Sequence, residues 1–196
     1  MKNAACVGGI TTSGKYVRLL NPGGNNQPKN TDFEVRQFWD IEYVERKNMA
    51  PPHIEDIIIT SKKLVDTLKE EKTMLQTIQL CGATIWRGSP DVLFDNLLRW
   101  TNNGSGYISE KSDIPNNSVG FWISDKDLTK RIYYDKVRYS YPISIGWRSV
   151  PYVGFDDAID VIPAGTLLRV SLARWWDTNG ATENRCALQL SGWYTS

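Results

Sequence analysis

A mainly β chain with a few helices, arranged as two tandem small antiparallel barrels, follows from three features of the 196-residue sequence. Eight tryptophans and nine tyrosines are many for this length, and such rings favour the pleated, half-buried surface of a strand. Short segments that alternate apolar and polar side chains recur at close spacing, divided by Gly, Pro, Asn and Asp. Helical periodicity is concentrated in the first half. A single larger β-sandwich is the alternative this pattern allows.

In chain order, Ala4–Thr11 and Lys15–Leu20 read as a hairpin turning at Ser13-Gly14. Glycines in Cys6-Val7-Gly8-Gly9-Ile10 suit a strongly coiled strand or a close approach of backbone or ligand. Residues 21–31 are loop by composition. Val35–Val44 alternates with Trp39, Ile41 and Tyr43 on one face, and His53–Thr60 resumes as a strand. Thr60 or Ser61 then caps the main helix, over 61–79, with Leu64, Val65, Leu68, Leu75 and Ile78 at helical spacing. Ser89-Pro90 opens a second, shorter helix near 89–99. Polar, Asn- and Gly-rich residues 101–118 are the most linker-like stretch, which sets the expected domains at 1–105 and 106–196.

Beyond it, Val119–Ser124, Arg131–Tyr139, Ile143–Arg148 and Tyr152–Phe155 are short strands. A hairpin of Thr166–Trp176 and Arg185–Tyr194 closes the chain around Asn179-Gly180. Its Leu168, Val170, Leu172, Cys186, Leu188 and Leu190 share an apolar side, and the other side carries Arg169, Ser171, Trp175, Arg185, Gln189, Ser191 and Trp193. Five short strands with one helix is the shape of an OB-fold barrel, and two fit this length.

Composition narrows the function. The net charge is +1, and residues 1–100 hold 13 basic and 12 acidic side chains against 10 of each in 101–196. Neither half is a basic domain of the kind that grips duplexes by counterion release. Three cysteines without CxxC spacing and one histidine argue against a structural metal, and no cofactor is expected. The first residues show no signal peptide and no stretch has about 20 apolar residues in a row, so a cytoplasmic protein without a membrane partner is expected.

Catalysis would have to use His53, in Pro51-Pro52-His53-Ile54-Glu55-Asp56. It could orient a ligand or act as a base, but a structural histidine bonded to backbone explains it as well. The three cysteines read as small buried hydrophobes, and a non-enzyme is expected. Residues 126–138 are basic and aromatic, with Tyr134, Lys136 and Arg138 on one strand face, a pattern that holds single strands by stacking and phosphate contact. Arg174, Trp175, Arg185 and Trp193 form a second candidate surface, either a ligand groove or a packing face.

Cys6-Val7-Gly8-Gly9-Ile10, then Gly14–Leu20, Pro51–Asp56, Ser171–Trp176 and Leu190–Tyr194 together resemble the dual OB-containing domain of prokaryotic proteins, over nearly the whole chain. The resemblance implies two tandem OB-like barrels, a nucleic-acid-binding role and an association with bacterial conflict or antiphage systems. It carries over no catalytic residues. Two functions remain in view: recognition of single-stranded or modified nucleic acid or a nucleotide, or a protein-interaction subunit docking on an effector from the same operon.

Overall fold

Strands dominate the computed structural model, which describes residues 4–69, 73–177 and 183–194. In order they are β1 (Ala4–Ala5), β2 (Gly8–Ile10), β3 (Tyr16–Leu20), β4 (Gln27–Pro28), β5 (Gln37–Glu45) and β6 (Asp56–Thr67). Helix α1 (Met74–Leu80) follows, then β7 (Ile85–Gly88), β8 (Arg99–Trp100), β9 (Gly106–Ser109), β10 (Val119–Ser124), β11 (Leu128–Tyr133) and β12 (Lys136–Pro142). The last are β13 (Trp147–Pro151), β14 (Val161–Ile162), β15 (Leu167–Leu172), β16 (Trp176–Asp177) and β17 (Asn184–Tyr194). The chain divides into two compact units, Met1–Ala83 and Thr84–Ser196.

The first unit is built on the sheet β2-β3-β6-β5. Its β2–β3 hairpin keeps the expected turn, although of the expected Ala4–Thr11 strand only Gly8–Ile10 joins it and Ala4–Ala5 pairs with β4 instead. Gly14 takes φ 79 at the turn, where a Cβ would also meet the Cys81 carbonyl at 2.7 Å. Val17, Leu19, Ile57 and Ile59 form a small core against Val7, Phe33 and Ile41.

The helix expected over 61–79 is a correction. Residues up to Thr67 continue β6, paired to β5 from Glu45↔Ile57 to Gln37↔Thr67. The register shifts twice, between Phe38 and Trp39 and between Glu42 and Tyr43, so the apolar residues of β6 lose strict alternation and imitate a helical period. Only Met74–Leu80 is helical, begun by a capping box of Thr73 and Gln76 and anchored by buried Ile78.

The second unit holds a seven-stranded sheet, β7-β10-β15-β17-β9-β8 with β16 beside β17, and a four-stranded sheet, β13-β12-β11-β14. Isolated bridges Ser105↔Ser149 and Tyr152↔Leu190 stitch one sheet to the other, so their inward faces share one core. Leu168, Val170, Leu172, Cys186, Leu188 and Leu190 all enter it, as the alternation predicts. Gly120 lets Trp86 lie across the β7–β10 pair, since a Cβ there would stand 2.1 Å from the indole.

Here too the expectations need correction. Ser89 does cap, with Pro90 at the first position, but the expected helix breaks into a 3-10 turn over Pro90–Val92 and a single irregular turn over Leu93–Asn96. Phe94, Asp95 and Asn96 then take left-handed φ of 50, 58 and 65. Leu93 and Phe94, both fully buried, lie in that turn. The 101–118 stretch is no linker either. It contains β9, paired to β17 through Cys186↔Ile108, and the division between units falls earlier, at Ala83/Thr84. Asn179-Gly180 lies outside the described residues. No helix among the described residues is long and apolar enough to cross a membrane.

Candidate nucleic-acid interface

The candidate residues fall into three settings. His53 belongs to the first unit, where it is buried and its backbone N–H donates to the Ala50 carbonyl at 3.1 Å. Buried Glu55 and Asp56 follow it in the chain. Asp56 accepts from Arg18 through Nε and Nη2, both at 2.6 Å, and from Arg46 at 3.1 Å. This is an internal ion-pair cluster.

The closing hairpin is the second setting. Its register slips at Arg169/Val170, so Val170 faces Leu190 while Leu168 faces Trp193, leaving Ser191 as the extra residue. The slip reverses side-chain parity, and Trp193 turns to the core side, against Tyr139 and Tyr152 at ring distances of 6.1 and 5.2 Å. Trp175 also packs on the core. Arg185 lies over the Tyr107 ring at 4.2 Å and bonds Glu183 at 2.8 Å. Of this group, Arg174 remains exposed, followed by Trp176 two positions on. Trp175 and Trp193 both pack on the core, and for Trp193 the reason is the slip at Ser191, which interrupts the period of two.

The third setting is the outward face of β11, β12 and β13. Here Leu128, Tyr139, Tyr141 and Val150 point into the core, so the alternate positions point out. β11 and β12 form a two-residue hairpin in which Tyr133 faces Lys136 and Arg131 faces Arg138. Tyr134 and Asp135 are its turn, at φ 46 and 58. The expected single strand over Arg131–Tyr139 is therefore two strands, and Tyr134 leaves the face it was expected to share with Lys136 and Arg138. Arg131 and Tyr133 take its place beside them, and Trp147 lies exposed on β13. A turn without glycine hid the hairpin, although the basic and aromatic composition of residues 126–138 had marked the segment.

Arg138 is fixed on this face. Its Nε donates to Ser149 Oγ at 2.7 Å, and its Nη2 donates to Ser105 Oγ at 2.7 Å and to the Ser149 carbonyl at 3.2 Å. Burial lowers its pKa from the ordinary arginine value while the nearby Tyr133 opposes the shift. Arg131 stands directly opposite, and like charges so placed repel. No carboxylate pairs with Arg131, Lys136 or Arg138 among the described residues. The outward positions of the three strands thus carry three cations, hydroxyls and the rings of Tyr133 and Trp147, and no acid.

The cysteines differ from one another, contrary to the common burial expected. Cys6 is exposed, Cys81 half-buried and Cys186 buried. Burial pushes the Cys186 thiol up to about 12, so it stays protonated at pH 8 and is not a nucleophile there. Native protein treated with a thiol reagent at pH 8 is expected to label Cys6 and to spare Cys186, which reacts only after denaturation. Peptide mapping reads this directly, and native labelling of Cys186 would contradict its burial. Among the described residues no group of His, Cys, Asp or Glu could hold a metal ion.

A mainly β chain with a curled sheet is consistent with tandem OB-like domains. The chain matches the family model of the dual OB-containing domain over residues 1–193, and it belongs to that family. No curated protein and no solved structure matches it. Membership points to an OB module that binds nucleic acid or protein, of a family that is typically non-catalytic.

Proposed function

We propose that this protein is a non-catalytic module that binds single-stranded nucleic acid on the outward face of β11–β13. The observation that carries the proposal is the Arg131–Arg138 cross-strand pair, two cations held together with no carboxylate between them among the described residues. A phosphate seated there would relieve the repulsion. Lys136 extends the cationic track, and Tyr133 and Trp147 offer faces for bases. A near-neutral chain with one such strip suits a flexible strand better than a duplex. The bacterial defence setting that the family resemblance implies belongs to the same proposal, and an effector from the same operon is the partner of the alternative, protein-docking reading.

The test is anisotropy of labelled DNA and RNA oligomers across a salt series. Replacing Arg131 and Lys136 together by alanine is expected to weaken binding at least about tenfold at low salt. It should also lower the slope of log K against log salt by about 1.4, two single-strand phosphate contacts at roughly 0.7 each. No retention of either nucleic acid by the wild-type protein at low salt overturns the reading. Exposed Ile132, Tyr133 and Tyr134 favour a second reading, docking on a protein. Nuclease-resistant co-purification of a neighbouring gene product, with no oligomer binding, would support that one.

A further inference from the structure

We propose that the tip of the β11–β12 hairpin is a stacking wedge that seats on the last base pair where a duplex opens into a single strand. This rests on the single-strand reading of the adjoining face and adds the kind of nucleic acid recognised.

The tip stands clear of its own sheet. The last flanking ladder partners are Pro151 opposite Arg138 on one side and Val161 opposite Thr129 on the other. The final lateral backbone bonds reach Val137, from Tyr152, and Lys130, to Asp160. Past those points β11 and β12 continue as a bare two-stranded ribbon among the described residues. Ile132, Tyr133 and Tyr134 are 70%, 62% and 83% exposed. Because consecutive residues alternate sides, they coat both faces and the end of the ribbon with apolar surface.

The turn keeps its ring at a conformational cost. Both central residues have positive φ, the geometry that Asn-Gly adopts most easily, yet Tyr134 and Asp135 occupy it. A bulky side chain held left-handed points to a use for that side chain. Tyr133 meets Tyr134 edge to face at 4.6 Å, which braces the outer ring. A flat ring at the end of a narrow ribbon caps a stack of bases and cannot read their edges. Arg131 and Lys136 lie just behind it on the outward face, so a strand leaving the junction would run onto the cationic strip.

The test compares a forked DNA, carrying 2-aminopurine at its last paired position, with a plain oligomer of the same single-stranded sequence. Wild type is expected to prefer the fork about tenfold and to quench or enhance the 2-aminopurine signal. The double variant Tyr134→Asn, Asp135→Gly should lose that preference and that signal while holding the plain oligomer within about twofold. Its urea midpoint should be at or above wild type, which excludes misfolding, and Tyr134→Phe should retain the preference. Equal wild-type binding to fork and oligomer overturns the wedge and leaves the single-strand reading standing. Undiminished fork preference in the double variant does the same, as does loss of a co-purifying protein with the fork preference intact. Absence of binding to either nucleic acid overturns both.

Discussion

Asp56→Ala is expected to lower the stability of the protein by about 3 kcal/mol, near the lower end of the range for breaking a buried ion pair. Asp56 is 3% exposed and sits opposite Arg18 in the parallel β3–β6 pair. Two parallel N–H donors of Arg18 hold its carboxylate at 2.6 Å, and Arg46 adds a third bond. Removing the carboxylate leaves the half-buried Arg18 guanidinium without this counter-ion, on the strand pair whose alternate residues Val17, Leu19 and Ile57 build the small core of the unit. Arg18 retains partial access to water, which keeps the loss from being larger. Urea denaturation reads the total, and amide exchange at Leu19 and Ile57 should quicken most. Asp56→Asn should fall between, since it keeps an acceptor without the charge. A change within about 0.5 kcal/mol for Asp56→Ala would mean that the pair only offsets its own desolvation.

The sequence was legible where one local rule acted without interruption. Leu168, Val170 and Leu172, with Cys186, Leu188 and Leu190, obey a clean period of two and lie where that period puts them. Gly14 sits in the positive-φ turn expected of it. Two of the misreadings share one cause, a register break that no single residue announces. Two shifts in the β5–β6 ribbon made Leu64 and Val65 look helical, and one near Ser191 turned Trp193 from the surface to the core. A left-handed Tyr134 concealed the hairpin that brings Arg131 opposite Arg138. Bulges and turns without glycine are settled by tertiary packing, so pattern alone could find the basic, aromatic segment but not the face it builds. The 101–118 stretch shows the reverse case, a polar composition hiding a four-residue strand whose Ile108 is fully buried.

The second large effect is expected at Trp122, whose replacement by alanine should cost about 3–5 kcal/mol. The indole is completely buried on β10, between strands that pair on both sides, β7 parallel and β15 antiparallel. Its Nε1 donates to the Gly88 carbonyl at 2.9 Å, and Tyr141 packs 6.3 Å from it across the core. Alanine would therefore open a cavity and strip one carbonyl of its donor in the same step. Trp122→Phe separates the two, since it refills much of the volume but restores no donor. It should recover more than half of the loss if packing dominates, and little of it if the hydrogen bond does. The distinction bears on the proposed interface. Tyr141 and Tyr139 are the inward residues of β12, so a void beside Tyr141 loosens the strand whose outward residue Arg138 is pinned to Ser149 and Ser105. At temperatures where the alanine variant is still folded, its affinity for single-stranded oligomers should fall with a salt slope near wild type, because the cations remain but are less well held. A reduced slope would instead show that the cationic strip itself had come apart.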